Sequence, residues 1–191
     1  MARPSVLALA AASVVALALG GCEEEAEPPA PPVSAGEVTF VLNGEPWSDR
    51  DDVTAWATAS GGLALTAQAD CLSDPRCTTF ALELPNLAAG SFSVVYRDTA
   101  SQVEGAVITE SVVGDSAGAW TFFYPAREGS VTVEQASGPG EVASGTFAGV
   151  FVTREDQRAE PGRTLPDTLR ITDGRFRVRL RGADGPPLRS D

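Results

Sequence analysis

The sequence predicts a small all-β domain of about nine or ten strands, arranged as an antiparallel β-sandwich or a barrel-like sheet. Apolar and polar residues alternate along most of the chain, which is the two-residue period of half-buried strands. Turn-forming Gly, Pro, Asn and Asp recur about every ten residues between these runs. After residue 36, no segment keeps the period of a helix. The alternation does not decide between the sandwich and the barrel.

The first predicted strand ends at Asn43-Gly44, a strong signal for a tight hairpin. Residues 148–152 are apolar on both faces, which predicts a central strand. We expect another strand to end at Pro125, and residues 154–166 to form a mobile surface loop between two strands. The core-facing residues of the predicted strands are Val38, Phe40 and Leu42; Leu63 and Leu65; Phe80, Leu82 and Leu84; Phe92, Val94 and Tyr96; Trp120, Phe122 and Tyr124; Val131 and Val133; and Phe176, Val178 and Leu180.

The chain divides into a signal peptide (residues 1–21), a disordered tether (22–36), a β domain (37–182) and a disordered tail (183–191). The signal starts with Arg3 and has an apolar run over residues 6–19, shorter than the about 20 residues of a transmembrane helix. Its end, Leu19-Gly20-Gly21-Cys22, resembles the bacterial lipobox. The resemblance implies that Cys22 carries acyl chains such as palmitate and anchors the protein to a membrane. The alternative is an ordinary signal peptide with a chance cysteine.

Composition excludes several classes of function. The formal net charge is -12, which argues against a nucleic-acid partner because phosphate binding needs a basic surface. The chain has no histidine, which excludes a Ser-His-Asp triad and histidine-ligated zinc. We expect no cofactor, and no residues stand out as catalytic.

The other two cysteines, Cys71 and Cys77, form an even pair, and Asp74-Pro75 between them favours a turn. In an oxidising compartment this predicts a structural disulfide. A redox-active pair is the alternative, although such pairs are usually spaced C-x-x-C. A third interpretation takes Arg76 as the contact residue of an inhibitor loop.

Four arginines alternate with apolar residues near the end of the domain: Arg175, Arg177, Arg179 and Arg181. On a strand they would all stand on one face of the sheet. One interpretation is an anion-binding stripe for carboxylates or phosphates, which guanidinium groups bind bidentately. The other, which the acidic composition favours, is a solvent face whose arginines pair with carboxylates of neighbouring strands.

Acidic residues also cluster, but without a recognisable motif. Calcium is one interpretation of this oxygen-rich cluster, yet its spacing is not that of an EF-hand loop, and we expect no metal site. A pair of carboxylates could also serve glycoside hydrolysis. The clustered residues are Asp49, Asp51, Asp52, Asp70 and Asp74.

Two sequence blocks resemble a family of uncharacterised bacterial lipoproteins. The first, residues 42–47, has an N-G-x-x-W opening hairpin that ends at Trp47. The second combines S-G-T-F at residues 144–147 with I-T-x-G-x-F at residues 171–176. The chain differs from the family in two places: Leu42 stands where the family has isoleucine, and the chain has the Cys71–Cys77 loop. The resemblance implies a small β domain and an envelope location, and it supplies no catalytic residues. Independently, we expect Trp47 to cover the core and Gly145 and Gly174 to occupy bulges or turns.

Together these observations predict an envelope lipoprotein, lipid-anchored at the outer membrane or cell surface, with a non-enzymatic binding or structural β module. Its partners would be the membrane and a small ligand, an anionic polymer or a protein. The first alternative is a glycan hydrolase that works through carboxylates. The second is an enzyme inhibitor that presents a loop.

Overall fold

A computed structural model describes residues 36–50, 52–69, 76–99, 102–114 and 118–182. Cys22, Cys71 and the predicted signal peptide and tail lie outside these ranges, as does all of the tether except Gly36. Within the ranges, no helix is long and apolar enough to cross a membrane. The strands are β1 Glu37–Leu42, β2 Glu45–Asp49, β3 Thr54–Ala57, β4 Leu63–Ala69, β5 Arg76–Leu84, β6 Gly90–Ser93, β7 Arg97–Thr99, β8 Gln102–Gly114, β9 Gly118–Gln135, β10 Val142–Val152 and β11 Thr168–Arg179. A short 3-10 helix, Glu155–Gln157, follows β10.

The strands form one antiparallel sheet in the order β2-β1-β11-β10-β9-β8-β5-β4-β3, with β6 beside β9 and β7 beside β8. The sheet curls into a half-barrel, which confirms the all-β prediction and favours its barrel-like form. The two ends of the sheet approach each other. The Arg181 N–H donates to Ala55 O at 2.9 Å, and the Gln68 N–H donates to Asp49 Oδ2 at 2.7 Å.

The predicted boundary at Pro125 is wrong, and Trp120, which was expected to face the core, is 38% exposed. β9 does not end at Pro125 but continues to Gln135, so the Trp120 and Val131 segments are a single strand. Pairing with β8 ends at Pro125, and pairing with β10 begins at Ala126. Proline is tolerated there because the strand changes neighbours at that point, and a missing N–H interrupts neither ladder.

β8 is a strand that the alternation did not reveal. Its inward positions include Ala106 and Ile108, which are 1% and 0% exposed, but also the carboxylate Glu110. A charged residue at a core position interrupts the apolar pattern by which half-buried strands are recognised.

Aromatic rings fill the interior of the half-barrel. The Phe80 and Phe147 rings stack with centroids 4.7 Å apart, and Phe40 lies 5.6 Å from Phe80. Trp47 stacks on Phe40 at 4.3 Å and is partly buried against the core, as expected. This packing holds the strands rigidly, and with them the side chains on the outer face of the sheet.

Local backbone features fit the residues at the hairpin and bulges. Asn43 and Gly44 have φ values of 51° and 91°, as the predicted tight turn requires. The β11 register shifts beside Gly174, where Asp173 has a φ of 54°. The β9–β10 register shifts at Gly145, where a Cβ would lie 2.2 Å from Thr132 O. Both glycines therefore lie at irregularities of the sheet.

Candidate anion-binding face

Three of the predicted arginines, Arg175, Arg177 and Arg179, lie in the last part of β11, and Arg181 lies just beyond its end. The alternating residues Phe176, Val178 and Leu180 are each 1% exposed and point into the core. Arg177, Arg179 and Arg181 are exposed, and Arg175 is half-buried. The alternation therefore places the guanidinium groups on the outer face of the sheet.

Small hydroxyl side chains surround the arginines on the neighbouring strands. Arg177 is paired with Ser144 of β10, and Arg175 is paired with Thr146. Thr146 is in turn paired with Thr132 of β9. The outer face beside the arginines therefore carries short side chains that end in hydroxyl groups.

Described carboxylates do not neutralise the exposed arginines. Glu37 is the β1 partner of Arg177, but its carboxylate accepts from the Arg50 Nε at 2.5 Å. Among the residues that the structure describes, no ion pair includes Arg177, Arg179 or Arg181. The Arg179 Nη1 donates to Gly140 O at 2.7 Å. The described contacts therefore do not pair these three arginines with carboxylates, as the second interpretation of the stripe expected.

Two open grooves meet beside Arg175. The first, which we call the Arg177 groove, has a volume of about 290 Å³ and includes Glu134, Ser144 and Arg177. The second, the Asp173 groove, has a volume of about 260 Å³ and includes Ser130, Thr132 and Asp173. Thr146 and Arg175 line both grooves. The arrangement offers guanidinium groups, hydroxyl groups and two carboxylates to a ligand on the outer face.

The acidic cluster predicted from the sequence is only partly described. Asp49 is 7% exposed, and its carboxylate accepts from the Gln68 and Asp52 N–H groups. Asp51, Asp70 and Asp74 lie outside the described residues. Within those that are described, no group of three or more His, Cys, Asp or Glu could hold a metal ion. Asp49 thus ties β2 to β4.

The predicted disulfide stays a prediction because Cys71 lies outside the described residues. Cys77 lies on β5, and its Sγ is 3.8 Å from Thr79 Oγ1.

Sequence reasoning missed a buried polar cluster between β8 and the β10–β11 connection. Glu110 is 2% exposed, and its carboxylate accepts from the Thr164 N–H at 2.9 Å and the Leu165 N–H at 3.3 Å. The Thr164 hydroxyl also contacts it. The Tyr124 hydroxyl lies 3.3 Å from Glu110 Oε2 and 3.4 Å from Leu165 O. We call Glu110, Tyr124, Arg163, Thr164 and Leu165 the Glu110 cluster.

Arg163 anchors the same connection. Its guanidinium donates to Thr153 Oγ1 at 3.0 Å and forms an ion pair with Asp167. The connection joins two strands, as expected, but these contacts fix it against the sheet. The sequence separation of 54 between Glu110 and Thr164 explains why no local pattern revealed the contact.

Burial raises the pKa of Tyr124 to about 12. The Glu110 carboxylate also raises it, whereas hydrogen bonding to Arg163 opposes the shift. Tyr124 is therefore protonated in the folded protein over the whole physiological range.

Two further carboxylates interact with each other, Glu83 on β5 and Glu104 on β8. Burial raises the pKa of Glu83, and the neighbouring Glu104 charge adds to the shift. Glu104 lines a groove of about 190 Å³ together with Arg97 and Phe92. Glu83 does not line this groove.

Comparison of the chain with protein-family models, with curated proteins and with solved structures finds no match. The resemblance to uncharacterised bacterial lipoproteins therefore rests on the sequence blocks alone.

Proposed function

We propose that this chain is a lipoprotein of the bacterial cell envelope, anchored through Cys22, whose β domain binds anionic ligands without catalysing a reaction. The observation that carries the binding part is the outer face of β11. There Arg177 and Arg175 line a groove, and Arg177 has no ion pair among the described residues. The anchor and the location rest on the lipobox, and membership of the lipoprotein family rests on the two sequence blocks.

The geometry favours the outer face over the interior as the binding site. Phe80, Phe147 and Phe40 pack against one another inside the half-barrel, where a ligand would have to displace them. The grooves beside Arg175 are open to solvent, so an anion reaches them without a change in the core. Guanidinium groups suit such a site because they stay charged and bind carboxylates or phosphates through two hydrogen bonds.

The binding proposal predicts that the double variant Arg177→Ser/Arg179→Ser loses affinity for an anionic polymer. With about 1.5–3 kcal/mol for each hydrogen bond to a charged group, the expected loss is about 100-fold or more. The full chain, purified in an uncharged detergent, would be titrated with dextran sulfate and with neutral dextran.

The matched control is Arg170→Ser, since Arg170 is an exposed arginine of β11 on the other side of the Asp173 bulge. We expect this variant to bind dextran sulfate as the unchanged chain does. Equal affinity of the unchanged chain and the double variant would overturn the proposal.

The anchor predicts that Cys22 is the site of acylation. Cells expressing the chain would be labelled with a palmitate analogue, and the label is expected on the protein and absent from Cys22→Ser. Cys77→Ser serves as the control for loss of a cysteine as such and should keep the label. Labelling of the Cys22→Ser variant would contradict the anchor without bearing on the arginine face.

A further inference from the structure

The two grooves on the outer face form one continuous track along β10. They share Thr146 and Arg175, and their β10 residues extend from Ser144 in the first groove to Ala148 in the second. At about 3.3 Å per residue, this interval covers about 13 Å. A track of that length accommodates more than one unit of a chain-like ligand.

Charges of both signs line the track. Arg175 and Arg177 lie along its β11 side, while Glu134 lines the first groove and Asp173 the second. A densely charged polyanion would place negative charge against both carboxylates. A ligand whose negative charges are spaced apart by uncharged polar groups reduces this repulsion and still meets the arginines.

Hydroxyl groups supply the rest of the recognition chemistry. Ser144, Thr146 and Thr132 each donate and accept hydrogen bonds, and the carboxylates of Glu134 and Asp173 accept from hydroxyl donors. The track therefore matches a ligand that carries hydroxyl groups between its carboxylates. Sugars with a carboxylate on each unit, or on every second unit, have this composition.

We propose that the occupant of the track is a linear acidic polysaccharide built from uronic acids. This inference rests on the proposed binding of anions and specifies the ligand. The carboxylates of the polymer pair with Arg177 and lie beside Arg175, which lines both grooves. Its hydroxyl groups bond to Thr146, Ser144 and the two rim carboxylates.

The test titrates the full chain with polygalacturonate oligomers, inorganic polyphosphate and neutral dextran. We expect polygalacturonate to bind more tightly than polyphosphate of equal total charge, and dextran not to bind. Arg177→Ser should weaken polygalacturonate binding about tenfold or more, the equivalent of one charged contact. Thr146→Val should weaken polygalacturonate binding several-fold and leave the affinity for polyphosphate unchanged.

The matched control for Thr146→Val is Thr39→Val, because Thr39 is also paired with Arg175 but does not line either groove. It should leave both affinities unchanged. Circular dichroism confirms that each variant is folded.

The outcomes separate the two proposals. If polyphosphate binds as tightly as polygalacturonate, and both depend on Arg177, the polysaccharide is overturned and anion binding stands. If neither polymer binds, or if Arg177→Ser changes nothing, both proposals fall. Equal effects of Thr146→Val and Thr39→Val would also overturn the hydroxyl contacts on which the polysaccharide rests.

Discussion

Glu110 and Arg177 are both charged side chains of the same sheet, but their surroundings differ. Glu110 is 2% exposed and faces the backbone N–H groups of Thr164 and Leu165 and the hydroxyl of Tyr124. Arg177 stands on the outer face beside an open groove. The first charge is surrounded by donors from its own chain, whereas the second faces solvent.

The difference follows from the cost of removing a charge from water. A buried carboxylate is tolerated only where hydrogen bonds replace its hydration, so the fold must supply a donor for each of its oxygens. At Glu110 these donors come from a distant connection, and the carboxylate therefore acts as an anchor for that connection. An exposed guanidinium has no such requirement, because water satisfies its donors until a ligand replaces the water. We infer that Glu110 serves the fold and Arg177 serves binding.

The largest expected effect on stability is that of Glu110→Ala. The substitution leaves the Thr164 and Leu165 N–H groups without their acceptor beneath the connection, and we expect the free energy of unfolding to fall by about 3 kcal/mol. Urea denaturation followed by tryptophan fluorescence measures the loss. Hydrogen exchange at the two N–H groups should accelerate in parallel.

Arg177→Ser is the contrasting variant for this comparison. Because Arg177 is exposed and has no described ion pair, we expect its removal to change the free energy of unfolding by less than about 0.5 kcal/mol. If Glu110→Ala lowered the free energy of unfolding no more than Arg177→Ser does, the buried carboxylate would not anchor the β10–β11 connection.

The sequence predicted the arginine face because a strand alternates strictly. Once Phe176 and Val178 face the core, Arg177 must face outward, and no tertiary information is needed. The sequence did not decide between a sandwich and a barrel, because alternation shows which face of a strand is buried but not how the sheet curls. The grooves were also beyond prediction, since they depend on the register that sets Ser144 and Thr146 beside the arginines.

The Glu110 cluster was missed for a different physical reason. A glutamate between Ile108 and Val112 breaks the apolar pattern, and by itself it indicates a solvent-exposed position. Only the tertiary fold brings Thr164 to its carboxylate. β9 was divided at Pro125 because a proline usually ends a central strand, and sequence alone does not show that the strand changes neighbours there.

A smaller loss of stability than that of Glu110→Ala is expected from Tyr124→Phe, which tests the same cluster through the pH dependence of stability. The variant loses one hydroxyl shared between Glu110 Oε2 and Leu165 O, which costs about 1 kcal/mol of unfolding free energy at pH 7. In the unchanged protein, the pKa of Tyr124 is about 12 when folded and near its ordinary value of 10.0 when unfolded. The unfolded chain therefore releases the Tyr124 proton first, and stability falls as pH rises from about 10 to about 12.

Tyr124→Phe removes this alkaline loss, so the stability advantage of the unchanged protein should shrink steadily across that window. The chain has no lysine and only two tyrosines, which leaves few other groups that titrate there. Tyr96→Phe is the control, and unfolding free energies measured at intervals from pH 7 to pH 12 give the profiles. If the unchanged protein and Tyr124→Phe lost stability in parallel above pH 10, burial would not be keeping the Tyr124 hydroxyl protonated in the folded protein.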